Sequence, residues 1–291
     1  MKRLILCVGV LMGALLQAAP TVTVSIMPQK YFVEQIAKDR VNVNVMVAPG
    51  SSSHTYEPKP AQMKELANSD AYFSIDDGFE KAWIPKFKST NPKLLIVDTV
   101  KGIQKIEMAE HHHEEEKSHK GHSHHAHEKE TLDPHVWLDP LLVKVQAKNM
   151  LDALTTLYPE NTSYFKENFD AFMASIDALD QSLTQTLSSV QNRKFIIFHP
   201  SFGYFAKRYN LEQIAIEVSG KEPKPSELAK IIKEAKEENA KVVFVSPQFS
   251  KKSADTIAKQ INGSTLAIDP LAYAWKDNLL AVAKLFQTEL K

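Results

Sequence analysis

The chain has 291 residues, 43% of them hydrophobic, enough for one large domain or two domains of ~100 to 150 residues each. Lys plus Arg equals Asp plus Glu at 35 each, so the formal charge is zero with histidine neutral. No electrostatic surplus is left to hold a phosphate backbone or an anionic lipid surface, which argues against nucleic acid as a partner.

The chain opens on Lys2 and Arg3, an apolar core from Leu4 to Leu16, and Gln17-Ala18-Ala19. That order predicts a cleaved export signal over residues 1–19 and an exported mature chain. A membrane-spanning helix needs ~20 apolar residues, whereas Pro20 and an alternating segment follow here at once. Cys7, the only cysteine, lies inside the apolar core, too early to be the lipid-bearing first residue of a mature chain. The mature protein is therefore expected to be unlipidated, without disulfides and without thiolate metal ligands. Any metal it holds must be bound through imidazole and carboxylate.

After the signal, short apolar runs at Thr21–Ile26, Val41–Val47, Ala71–Ile75 and Leu94–Val97 read as strands separated by helix-compatible segments. The second run leads into Pro49-Gly50-Ser51-Ser52-Ser53-His54, where a Gly/Ser turn presents His54 outward. From Glu107 to Glu130 the chain is of low complexity, with His111, His112, His113, His119, His122, His124, His125 and His127 among Glu and Lys. Too few apolar residues are present to offset the entropy of ordering, so this tract is expected to be a disordered His-rich loop that recruits metal weakly. His135 follows in Asp133-Pro134-His135-Val136-Trp137-Leu138-Asp139-Pro140, held between two Asp-Pro turns.

Phe165, Phe169, Phe172, Ile176, Leu179, Leu183, Leu187 and Val190 recur every three or four residues, with no glycine or proline from Asn161 to Val190. That spacing predicts one continuous helix of roughly 45 Å, a stiff strut rather than a loose hinge. Four more strands are expected beyond it, at Phe195–Phe198, Ile214–Val218, Val242–Val245 and Thr265–Ile268. The alternation of strand and helix implies mainly parallel sheets flanked by helices. The expected architecture is α/β with two lobes, each built on a four-stranded sheet: residues 20–158, a linking helix over 159–191, and residues 192–291.

Eight of the 11 histidines lie in the tract, and the other three are His54, His135 and His199. His199 directly follows the run Phe195–Phe198, and Asp269 follows Thr265–Ile268. In open α/β sheets, ligand sites collect in the crevice beyond the carboxyl ends of the strands, so these residues can converge. Three neutral imidazoles and one carboxylate make a closed tetrahedral set that suits zinc, which imposes no d-electron geometry.

His54-Thr55-Tyr56-Glu57-Pro58 resembles a His-x-Tyr-Glu-Pro family pattern. Together with Asp133 to Pro140, Phe198-His199-Pro200-Ser201-Phe202-Gly203-Tyr204-Phe205, Pro225-Ser226-Glu227-Leu228 and Asp269-Pro270-Leu271, it makes the chain resemble the zinc-uptake branch of the periplasmic metal-binding proteins of ABC transporters over nearly all its mature length. The run from Asp133 to Pro140 is specific, whereas the shorter pieces are weak singly. The resemblance implies a two-lobed monomeric carrier with zinc in the cleft, ligands at His54, His135, His199 and Asp269, and a membrane permease with its cytoplasmic ATPase as partner. Manganese carriers of the family characteristically have glutamate where His199 stands, and a third imidazole favours zinc. Ser53 is a departure, because some zinc carriers have an acidic residue there; Asp269 or water is left as fourth ligand.

Two other readings of the same residues stay open. A manganese or iron carrier would keep the fold and change the cargo. A zinc hydrolase would use the three histidines with an open position and a general base, for which Glu57 and Glu217 are the acidic residues near strand ends, although no His-Glu-x-x-His element is present.

Overall fold

The computed structural model describes residues 20–108, 132–217 and 223–290. The expected export signal over 1–19 and all eight tract histidines, from His111 to His127, lie outside these residues. Among the described residues no helix is long and apolar enough to cross a membrane.

The N-terminal sheet comprises β1 (Thr21–Val24), β2 (Asn42–Val45), β3 (Ala71–Ser74) and β4 (Leu95–Asp98) in the order β2-β1-β3-β4, all parallel. Helices α1 (Met27–Ala37), α2 (Pro60–Leu66) and α3 (Gly78–Thr90) connect the strands. The chain then runs through a 3-10 turn at Val136–Leu138 into α4 (Pro140–Leu157), whose start is capped by the Asp139 carboxylate accepting from Leu141 N at 2.8 Å. The expected long helix is α5 (Thr162–Ser188), 27 residues or about 40 Å. Its buried stripe, Phe165, Phe172, Ile176, Leu179, Leu183 and Leu187, follows the spacing that predicted it.

The C-terminal sheet repeats the first in plan, with β5 (Lys194–Ile197), β6 (Glu212–Ala215), β7 (Val242–Val245) and β8 (Ser264–Ala267) ordered β6-β5-β7-β8, again all parallel. Helices α6 (Gly203–Arg208), α7 (Pro225–Glu237), α8 (Lys251–Gln260) and α9 (Trp275–Glu289) complete this lobe. The eight strands are the eight expected ones, each four residues long and displaced by no more than two or three residues at an end. In both sheets the chain lays its second strand on one side of the first and its third on the other, which creates a crevice at the strands' carboxyl ends.

Successive strand residues face opposite ways, and the core divides accordingly. Phe195 and Ile197 on β5, with Val242 and Phe244 on β7, join one cluster that also holds Val22, Val24, Phe32, Met150, Phe165 and Phe286. Ile196, Val243 and Val245 face the other way, into a smaller cluster under α7 and α8. The larger core therefore runs from the first sheet through α4, α5 and α9 to the inner face of the second. Trp137 and Trp275 fasten its base: Trp137 Nε1 donates to Pro270 O and Trp275 Nε1 to Trp137 O, each at 2.7 Å.

Candidate metal centre

His199 emerges directly at the end of β5, after Phe198 has paired its N–H with Phe244 O of β7. His54 and His135 reach the same crevice on loops: His54 between β2 and α2, His135 as the residue before the Val136–Leu138 turn. One ligand nitrogen from each of His54, His135 and His199 lies within 4.8 Å of the other two. The ring centroids are 5.1 Å (His54–His135), 4.9 Å (His54–His199) and 5.3 Å (His135–His199) apart. His54 Nε2 and His199 Nε2 are 3.0 Å apart, close to the about 3.3 Å that two nitrogens subtend on a tetrahedral zinc.

Each imidazole is held from behind by a carboxylate. His54 Nδ1 meets Asp77 Oδ1 at 3.0 Å, His135 Nδ1 meets Asp133 Oδ1 at 2.7 Å, and His199 Nδ1 meets Glu217 Oε2. A carboxylate on Nδ1 fixes the ring proton there and leaves the Nε2 lone pair free for a metal. The three carboxylates also place negative charge behind the three rings, which favours a divalent cation. Asp77 is itself set by the start of α3, where its side chain accepts from Gly78 N and its own N–H donates to Glu80 Oε2 at 3.1 Å. His135 and His199 are buried, and His54 keeps 26% of its side chain exposed. Phe249 stacks on the far face of His199, centroids 4.4 Å apart.

Asp269 is not in the three-histidine group. Its Oδ1 accepts from Gln248 Nε2 at 2.8 Å and from Leu271 N at 2.9 Å, and it lines a cavity between the lobes with Ile26, Val47, Gly50, Gln248 and Tyr273. Glu57 is exposed, and Ser53 is buried beside Asp77. Nothing in the sequence marks Asp77, while Asp133 reads there as a turn residue and Glu217 as a possible base. Only the Asp133-x-His135 spacing offered a local signal for such a pair; Asp77 and Glu217 reach their imidazoles across 23 and 18 residues of chain.

Burial pushes His199 down to about 4, with His135 and His54 adding to the effect against the pull of Glu217. Burial also works against a proton on His54, yet the hydrogen bond and charge of Asp77, aided by Glu217 and Asp133, outweigh it and raise that imidazole. For Asp77, burial is outweighed by His54 and Ser53, which bring its carboxyl down to about 2. At neutral pH His199 is thus an open lone pair, and Asp77 an anion.

The model of the periplasmic zinc-uptake complex component A family, ZnuA, matches residues 22–282. The chain belongs to this family. It is 31% identical over 248 residues to the high-affinity zinc uptake system protein ZnuA of Bacillus subtilis (strain 168), covering 84% of this chain and 76% of that one. It spans about half the length of relatives such as the zinc-binding lipoprotein AdcA of Streptococcus pneumoniae, 48% of which is matched at 28% identity. A crystal structure of ZnuA superposes with a TM-score of 0.85 at 42% identity, covering 94% of this chain and all of the other. A zinc-bound ZnuA deletion mutant gives 0.84 at 41% identity, with 94% and 98% covered. The two four-stranded parallel sheets and the long helix are those of ZnuA-like structures.

Proposed function

We propose that this chain captures zinc between His54, His135 and His199 and delivers it to a membrane permease driven by a cytoplasmic ATPase. The observation that carries this reading is the convergence of three imidazole nitrogens, each ring backed by its own carboxylate. Three nitrogen donors favour zinc over manganese, which prefers oxygen. Asp269 or a water completes the shell. His54 and His199 belong to different lobes, so separating the lobes would pull donors off the ion, which gives the permease a way to take it.

The carrier reading is favoured over a hydrolase because Asp77, Asp133 and Glu217 each hold an imidazole, so none of them is free to serve as general base. We further propose that residues 1–19 are removed on export, that the mature chain is an unlipidated monomer, and that 20–158 and 192–291 form the lobes about the helix region 159–191. The tract histidines from His111 to His127 act as an accessory that recruits metal.

Competitive titration of the metal-free protein with zinc and manganese tests the site. Zinc should be selected, and His54→Ala, His135→Ala and His199→Ala should each abolish tight binding. Preference for manganese, or zinc binding indifferent to all three changes, would sink the proposal. Sustained ester or phosphoester turnover by the zinc form, lost in His135→Ala, would favour the hydrolase instead.

A further inference from the structure

Tyr204 lies five residues after His199, on the first turn of α6 in the C-terminal lobe, and is 3% exposed. Its hydroxyl accepts from Ile106 N at 3.0 Å and donates to Asp133 O at 2.9 Å, both in the N-terminal lobe. Ile106 and Asp133 are joined in turn, Asp133 N donating to Ile106 O at 2.9 Å, and Glu107 and Leu132 beside them form an antiparallel bridge. Asp133 is also the residue that holds His135, its Oδ1 accepting from His135 N at 2.8 Å and contacting His135 Nδ1 at 2.7 Å. The neighbouring Gly203 makes room for the same carboxylate: a Cβ there would stand 2.7 Å from Asp133 Oδ2. One turn of the C-terminal lobe thus clears a space for the Asp133 side chain and clamps its carbonyl.

We infer that Tyr204 is a positioning residue for metal capture, which by bridging Ile106 N and Asp133 O across the lobes sets the Asp133–His135 pair against the lobe that carries His199. The inference rests on the proposed zinc site and extends it to a side chain that touches none of the three imidazoles by hydrogen bond. An imidazole ligand is oriented by the carboxylate behind it, and that carboxylate by whatever fixes its own backbone. Without the hydroxyl, Asp133 O loses a buried hydrogen bond and Ile106 N a part-buried one, and the turn carrying His135 loses its tie to the C-terminal lobe.

The test uses the full mature chain stripped of metal, titrated with zinc against a competing chelator and, separately, loaded with cobalt(II), whose visible bands report ligand geometry. Zinc binding by the wild type that is lost in His135→Ala establishes the site itself, independently of Tyr204. Tyr204→Phe removes one oxygen and keeps the ring; it should weaken zinc binding roughly tenfold and shift the cobalt bands. Gly203→Ala, which presses on Asp133 Oδ2 by a separate route, should do the same. Combined with Asp133→Asn, the loss in Tyr204→Phe should be less than additive. Wild-type affinity and cobalt spectrum in Tyr204→Phe would overturn the inference, as would full additivity with Asp133→Asn. If Tyr204→Phe does not fold, Gly203→Ala decides alone, and wild-type affinity in that variant overturns the inference.

Discussion

Each imidazole of the proposed site can be only as good a ligand as the carboxylate behind it allows. Replacing Asp77 by Asn or Glu217 by Gln keeps the volume and removes the charge, and each should cost 10- to 100-fold in zinc affinity, read by chelator competition. Protons compete with the metal for the same lone pairs. Because Asp77 raises His54, affinity should decline on acidification from a higher pH than an ordinary imidazole would dictate, and Asp77→Asn should move that decline to lower pH. His199 acts on the fold in a different way. Its folded value of about 4 lies below the 6.5 of a free imidazole, so the unfolded chain takes up the proton first. The metal-free protein should therefore lose stability as pH falls from 6.5 towards 4, by up to about 3 kcal/mol. Denaturant titrations of wild type and His199→Gln at pH 5 and 7.5 measure it: the variant should show the smaller acid loss. The three histidines were legible because so few stand outside the tract. Asp77 was not, since nothing in Asp76-Asp77-Gly78 marks a helix cap that also faces His54.

Among the elements, α5 was the most legible, since an unbroken three-and-four spacing admits no other structure. The strands were legible as apolar runs, but their ends were not, because ladder pairing stops where the neighbouring strand stops. Least legible was the packing of α9, which follows the last strand of the second sheet. In the structure its Trp275 packs edge-on against Phe32 of α1, centroids 5.0 Å apart, and reaches Trp137 O. Trp275→Phe, which deletes that hydrogen bond and leaves Trp137 O short of its donor, should destabilise the metal-free protein by about 1–3 kcal/mol in urea titration. The Ile106–Asp133 and Glu107–Leu132 pairings close the chain on either side of the His-rich tract. Deleting residues 110–129 should accordingly leave one tight zinc site, while His54→Ala in the same background should cripple it.

For the molecule as a whole, two sheets share much of one core, a fact hidden from sequence because it joins residues as distant as Phe32 and Trp275. Cooperative unfolding follows from that sharing. The metal-free chain should unfold in a single transition, with far-UV circular dichroism and hydrogen exchange on β1 and β5 giving the same free energy; separate transitions for the two lobes would break the shared-core reading. Zinc at 100 times its Kd should add about 2.7 kcal/mol.

The two indoles linked through Trp137 O also have an optical consequence. The Trp137 ring lies 5.2 Å from that of His135, within reach of direct quenching by a coloured or paramagnetic ion such as cobalt or copper bound at that histidine. Trp83, on α3 beside Lys86, lies outside this pair. A variant with Trp83 replaced by Phe would leave Trp137 and Trp275 as the only tryptophans, so that, with excitation beyond the tyrosine band, ion arrival could be timed by intrinsic emission without a label.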